Sequence, residues 1–325
     1  MKNNIDNINI VLKDDLKEFN RCYNDTLESP VKLINRVISY ISKSKGKQLR
    51  PILLLLSANL CGKPNQKTYI GASLVELLHV ATLIHDDIVD DANIRRGFPS
   101  VKRIWKNKIS LLIGDYMFSK ALQSMIKIRD FDALELLSET AKKLSEGEIL
   151  QIEKAIKRNM TEELYFDMVK DKTASLFSAS CMLGAITVTK DEDQRQALAR
   201  FGEKLGVAFQ IKDDLFDIVG KIGSVGKPVG FDIKKNMLTL PFIYTLSKLN
   251  KIEKRLFLLK LKKMTKQNKI NDIKSMIDNY GSIEYTENVM KRISDEAKND
   301  LVIFPESAFK KALCDILDYN LIRSK

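Results

Sequence analysis

Two acidic clusters have the residue types and spacing to do chemistry: His85-Asp86-Asp87-Ile88-Val89-Asp90-Asp91 and Gln210-Ile211-Lys212-Asp213-Asp214-Leu215-Phe216-Asp217. Each carries an Asp pair four residues apart, Asp86 with Asp90 and Asp213 with Asp217, and residues so spaced share one face of a helix. On an ideal helix Asp86, Asp87 and Asp90 project into an arc of about 100°, and Gln210, Asp213, Asp214 and Asp217 into a similar one. Like charges crowded this way are costly unless cations sit among them. Oxygen-ligated Mg²⁺ completed by substrate phosphates fits best. The first cluster ends its helix, where negative charge opposes the helix dipole, a second reason to expect a bound cation. His79 lies two turns before Asp86 on the same face, roughly 10 Å away. Arg95 and Arg96 follow the cluster and supply planar forks for diphosphate oxygens. The ordinary reading of the first cluster is a surface helix end where Asp and Arg pair with each other, against which the dipole argues. The second taken alone reads as a solvated acidic face. Together they imply a diphosphate substrate.

Two further segments offer phosphate contacts. Gly46-Lys47-Gln48-Leu49-Arg50-Pro51 sets Lys47 and Arg50 three apart where a helix begins, a common phosphate grip and also an ordinary helix-start signal. The stretch from Val219 to Gly230 is Gly-rich and contains Gly226-Lys227. It is not a Walker loop, because Lys221 stands where a Gly is needed and Pro228 follows the lysine. A lid carrying Lys227 is the functional reading, and a plain connector the ordinary one.

These residues need rigid supports, and the pattern supplies helices. Apolar spacing of three and four recurs from Ile34 onward, with no long alternating run in competition. The spacing predicts helices over 6–24, 30–42, 49–61, 67–91, 99–106, 110–127, 130–158, 162–170, 173–187, 191–218, 236–248, 251–265, 268–279, 282–298 and 306–322. Breaks are expected at Ser44 to Gly46, Gly62 to Asn65, Arg96 to Pro99, and Pro305. Ile70 to Ile84 is apolar nearly all round, so it should be buried on every side. No linker or low-complexity tract divides the 325 residues, which favours a single all-α domain over 1–325.

Composition narrows the function classes. A net charge of +12 admits nucleic acid, anionic lipid or phosphorylated small molecules. The basic residues look dispersed and lack interleaved aromatics or a nucleic-acid module, so no nucleic acid partner is expected. Two histidines cannot build a His-rich metal site, and Cys22, Cys61, Cys181 and Cys314 lack paired metal-ligand spacing. The apolar runs Pro51 to Cys61 and Leu74 to Ile84 are too short to span a bilayer, and Met1 to Asp15 lacks a secretion-signal core, so a cytoplasmic location is expected.

In order along the chain, these motifs resemble those of the trans-prenyltransferases, the polyprenyl diphosphate synthases of the all-α isoprenoid synthase fold. The resemblance rests on Gly-Lys-x-x-Arg-Pro at 46–51, His79, Asp-Asp-x-x-Asp at 86–90, Arg-Arg-Gly at 95–97 and Gly114-Asp115. It continues through Glu146-Gly147-Glu148, Lys172-Thr173, Gln210-x-x-Asp-Asp at 210–214, Lys227 and Thr239-Leu240-Pro241. It implies one large helical bundle around a central apolar cavity. It also implies a homodimer, Mg²⁺, and head-to-tail condensation of isopentenyl diphosphate with an allylic diphosphate.

Carried over by position, Lys47, Arg50, His79 and Arg96 would hold isopentenyl diphosphate. Arg95, Lys172, Thr173, Gln210 and Lys227 would contact the allylic diphosphate. Metals would bind Asp86, Asp90 and Asp213, supported by Asp87, Asp214 and Asp217, with Asp86, Asp90, Lys172 and Asp213 as the catalytic set. The family has a lysine where this chain has Met237. In the family, bulky aromatics four and five residues before the first Asp stop growth at short products. Here those places hold the small Thr82 and Ala81, so the resemblance implies a long all-trans product of heptaprenyl to decaprenyl length for a quinone side chain. Peripheral membrane contact for product release accompanies such a product. The rival readings are a farnesyl or geranylgeranyl synthase and a non-catalytic regulatory subunit of a heteromeric synthase. A terpene cyclase would not need the second diphosphate site of Lys47, Arg50 and His79.

Overall fold

The structure, a computed structural model, describes residues 8–44, 46–157, 160–219, 237–267 and 269–323. The described residues form helices α1 (Lys13–Leu27), α2 (Lys32–Lys43), α3 (Leu49–Cys61), α4 (Gln66–Val89), α5 (Val101–Ile128), α6 (Phe131–Lys157) and α7 (Glu162–Val169). A π-helical turn (Lys170–Ala174) leads into α8 (Ser175–Ile186), followed by α9 (Glu192–Val219), α10 (Leu240–Ser247), α11 (Lys251–Lys266), α12 (Ile270–Asp278), α13 (Ser282–Asp300) and α14 (Ala308–Ile322). The all-α expectation holds. Predicted helices 99–106 and 110–127 are one element with non-helical backbone at Lys106. The predicted break between 162–170 and 173–187 is the π turn, which keeps the helix continuous.

The chain divides into two compact units. The first comprises Met1–Ala141, Leu176–Gly202 and Lys298–Ile316; the second comprises Lys142–Ser175, Glu203–Ala297 and Leu317–Lys325.

In the first unit α4 is the core helix. Asn65 and Thr68 form a capping box at its start, each side chain accepting from the other's end of the turn, so the orphan amides there are satisfied. Leu74, Val75, Leu77 and Leu78 are at most 1% exposed, as the all-round apolar pattern requires. By length and composition α4 could cross a membrane, which the runs read from the sequence could not, but 67% of its apolar stretch is buried inside the protein. A core helix passes that test too. After α4 comes a small hairpin that the pattern did not reveal: Ile94–Arg95 pairs antiparallel with Phe98–Pro99. Arg96 (φ 52°) and Gly97 (φ 80°) both occupy the left-handed region, as a two-residue type I′ turn demands.

In the second unit, Tyr165, Val169 and Ala174 pack with Val207, Ala208 and Ile211 of α9 and with Leu240, Ile243, Val289 and Met290. That cluster seats the C-terminal half of α9, which carries the second acidic motif.

Candidate active site

The first motif sits at the end of α4 and is braced by the hairpin. Asp87 is buried, and Arg95 donates to its Oδ1 from Nε at 2.9 Å and from Nη2 at 2.5 Å. Asp86 is half-buried one turn before Asp90, which caps the helix, and Lys102 pairs with Asp91. Arg96 reaches back to donate to the Ser44 carbonyl at 3.2 Å. Arg50 Nη1 lies 3.0 Å from His79 Nε2, and its guanidinium stacks 4.7 Å from the centre of the Phe177 ring. A guanidinium can only donate, so Nε2 accepts and carries no proton. Desolvation, then Arg50, Arg96 and Arg95, holds the His79 pKa well below its ordinary value. His79 is therefore a neutral prop for Arg50. Lys47 is exposed on the same segment. Beside it Gln48, at φ 48°, buries its amide nitrogen with no hydrogen-bond partner among the described residues. The sequence pattern passed over Gln48, and only its position between Lys47 and Arg50 hinted at it.

The second motif is wired differently. Tyr165 donates its hydroxyl to Asp214 Oδ2 at 2.6 Å, and Gln210 Nε2 donates to Asp214 Oδ1 at 2.8 Å. Thr173 donates to Gln210 Oε1 at 2.8 Å. Arg323 donates to Asp213 Oδ1 at 2.6 Å while lying over the rings of Phe209 and Phe216. Asp217 is half-buried one turn beyond Asp213. Lys172 pairs with Glu148 and donates to Gln151 Oε1 at 2.9 Å. The Gln151 amide in turn donates to the Met237 sulfur at 3.1 Å, so Met237 joins the support of Lys172. Gly147 explains the Glu-Gly-Glu motif: a Cβ there would lie 2.6 Å from the Lys172 backbone nitrogen, so the π turn carrying Lys172 and Thr173 needs a glycine opposite it. Tyr165, Gln151 and Arg323 carried no motif signal. Lys227 lies outside the described residues.

The donors are all carboxylate or amide oxygens. Among the described residues no three His, Cys, Asp or Glu side chains converge as a cage. Such sparse oxygen donors suit a hard cation held by one or two carboxylates and completed by substrate oxygens. The orphaned Gln48 amide also asks for an external acceptor such as a phosphate oxygen. Of the residues expected to set chain length, Ala81 is buried, and Thr82 returns its hydroxyl to the His79 carbonyl at 2.9 Å.

The family model described as polyprenyl synthetase matches residues 31–280. The chain belongs to this family. It is 30% identical to the octaprenyl diphosphate synthase of Escherichia coli over 99% of its own length and all of that protein. It is 31% identical to the geranylgeranyl diphosphate synthase of Saccharolobus solfataricus, covering 98% of this chain and 99% of the other. Among solved structures it resembles a decaprenyl diphosphate synthase from Rhodobacter capsulatus (TM-score 0.92, 33% identity, 99% of each chain). It also resembles a polyprenyl synthase from Caulobacter crescentus complexed with calcium and isoprenyl diphosphate (TM-score 0.91, 29% identity, 99% and 98% covered). This polyprenyl synthetase is thus a prenyltransferase with the isoprenoid synthase fold, and the reading as a non-catalytic subunit falls away.

Proposed function

We propose that the protein condenses isopentenyl diphosphate with an allylic diphosphate, using Mg²⁺, to make a long all-trans polyprenyl diphosphate for a quinone side chain. One observation carries the reading: each acidic motif is bonded to the residues assigned to diphosphate. Arg95 holds Asp87, and Thr173 reaches Asp214 through Gln210.

In this reading Asp86, Asp90 and Asp213, supported by Asp87, Asp214 and Asp217, would hold Mg²⁺. Held there, Mg²⁺ would supply positive charge against that growing on the departing pyrophosphate. Lys172, fixed by Glu148 and Gln151, and Arg95 act on the same charge, as does Lys227. Lys47, Arg50 and Arg96 grip isopentenyl diphosphate, with His79 orienting Arg50 and Gln48 donating its free amide. The allylic carbon–oxygen bond breaks and its electron pair leaves with pyrophosphate. The isopentenyl double bond attacks the allylic carbon, and the proton then lost goes to the released pyrophosphate. No protein base is needed, consistent with a neutral His79 whose lone pair is already engaged.

Small residues at Ala81 and Thr82 support a product of heptaprenyl to decaprenyl length. Exposed apolar residues on α5 and the start of α6, including Ile126 (70% exposed) and Phe131 (88%), support a homodimer that covers them. A cytoplasmic location, with membrane contact for product release, completes the proposal. The test is incubation of the purified protein with labelled isopentenyl diphosphate, an allylic primer and Mg²⁺, followed by chromatographic sizing. A ladder ending at or beyond heptaprenyl is expected. Termination at farnesyl or geranylgeranyl would overturn the length, and no elongation would overturn the reaction. Sedimentation tests the dimer.

A further inference from the structure

Helix α11 has two apolar faces. Phe257 and Leu261 pack into a cluster with Ile218, Phe242, Ile273 and Ile277. The opposite face carries Ile252, Leu256 and Leu259, which stand 74%, 61% and 59% exposed. Their spacing of four and three makes one stripe along the helix. Lys251, Arg255, Lys260, Lys262 and Lys263 border that stripe and are exposed. The helix contains seven Lys or Arg against one acid, Glu253, whose carboxylate is used in the N-terminal capping box with Asn250. Seven of the 54 Lys and Arg residues, which look dispersed in the sequence, are thus gathered on one helix with an apolar ridge.

We propose that this face of α11 docks the protein onto an anionic lipid surface. A helix with large apolar side chains pointing to solvent, rimmed by cations, lies in a membrane interface: the apolar groups enter the acyl boundary and the cations meet the headgroups. The long lysine stems reach sideways to keep their charges at headgroup level. A second copy is a poor occupant, because it would bring two such basic rims together. The inference rests on the proposed lipophilic product for its purpose, since a docked enzyme would release that product into lipid.

The experiment is sedimentation of the full chain with vesicles of phosphatidylcholine, with and without phosphatidylglycerol, at low and raised salt. Binding to the anionic vesicles, weakened by salt and nearly absent from the neutral ones, is expected. Lys262→Glu with Lys263→Glu should weaken it by on the order of tenfold or more, and so should Ile252→Ser with Leu256→Ser and Leu259→Ser. Lys13→Glu with Lys17→Glu, an equal charge change at another exposed site, should leave most of the binding. Circular dichroism and prenyl transfer to a short primer in solution should match the parent protein in every variant. Failure to bind anionic vesicles, equal binding to neutral ones, or an equal loss in the Lys13/Lys17 variant would overturn the proposal. Vesicle binding is read without turnover, so failure of the synthase reading would show separately, as absent elongation in solution.

Discussion

The two acidic motifs share an Asp-Asp-x-x-Asp pattern but are built by different means. Among the described contacts, two aspartates of the first are held by near neighbours: Arg95 reaches Asp87 from eight residues on, and Lys102 reaches Asp91 from eleven. The second draws on partners 49, 37 and 110 residues away, in Tyr165 to Asp214, Thr173 to Gln210 and Arg323 to Asp213. A hairpin can wire the first motif as soon as it forms. The second exists only when its whole unit has folded. Two carboxylate pairs of equal chemistry should therefore answer differently when their supports are changed.

Chemistry is where the two should agree, and with the largest effect. Asp86→Ala and Asp213→Ala should each lower turnover by at least about a hundredfold, since in the proposed reading each removes a carboxylate that would hold the metal opposing charge on the departing pyrophosphate. Far-ultraviolet circular dichroism should show the helices intact. Near-parental turnover in either purified variant would break the parallel between the motifs.

Support is where they should part. Asp87 is 6% exposed, and removing its guanidinium partner by Arg95→Met should cost about 3 kcal/mol in urea unfolding, the low end for breaking a buried pair. Asp213 is 43% exposed, so water can take up the carboxylate that Arg323→Met leaves behind. Arg323 itself is 7% exposed and also donates to Asn320 and the Phe209 carbonyl, so the variant should cost about 1–2 kcal/mol, less than Arg95→Met. Equal losses would mean that the local and long-range designs are energetically alike.

Much of this was legible in the chain. The Asp86 and Asp213 motifs, the start of α3 behind Lys47 and the burial of α4 follow from spacing alone, because helical period and charge repulsion are local properties. The hairpin at 94–99 was not, since two-residue strands are too short to show alternation and Arg96 is an uncommon residue at positive φ. Gln151, Tyr165 and Arg323 were also hidden. Their roles depend on which distant atoms they meet, and no local pattern encodes that. Met237 shows the same limit: by position it is a missing lysine, and only its contact with Gln151 shows it bracing one.

Two glycines sharpen the contrast further. At Gly147 an added methyl would meet the backbone of Lys172, which cannot move without disturbing the π turn. Gly147→Ala should cost about 1–3 kcal/mol and lower turnover with it. At Gly114 the added methyl would meet the His85 ring, the far end of a side chain that is 35% exposed and can swing away. Gly114→Ala should cost less. Urea midpoints and turnover for the pair would decide, and a larger loss at Gly114 would reverse the argument.

The smallest difference concerns acid. The chain has two histidines, and both lie in the first unit, so only that unit can lose stability through histidine protonation. In the folded protein His79 has its pKa well below the ordinary 6.5, because it is desolvated and faces Arg50, Arg96 and Arg95. The unfolded chain therefore takes up a proton near pH 6.5 that the folded chain refuses, and stability falls as pH drops below that value. The loss should approach about 1.4 kcal/mol per pH unit below 6.5, with no contribution from this residue above it. Urea unfolding between pH 7.5 and about 5.5, above most carboxylate titration, isolates the effect. His79→Gln keeps an oxygen acceptor for Arg50 but cannot titrate, so its stability should be flatter over that range. A parental protein as flat as His79→Gln would show that the ring accepts a proton in the folded state, and the assignment of His79 as a neutral prop would fail.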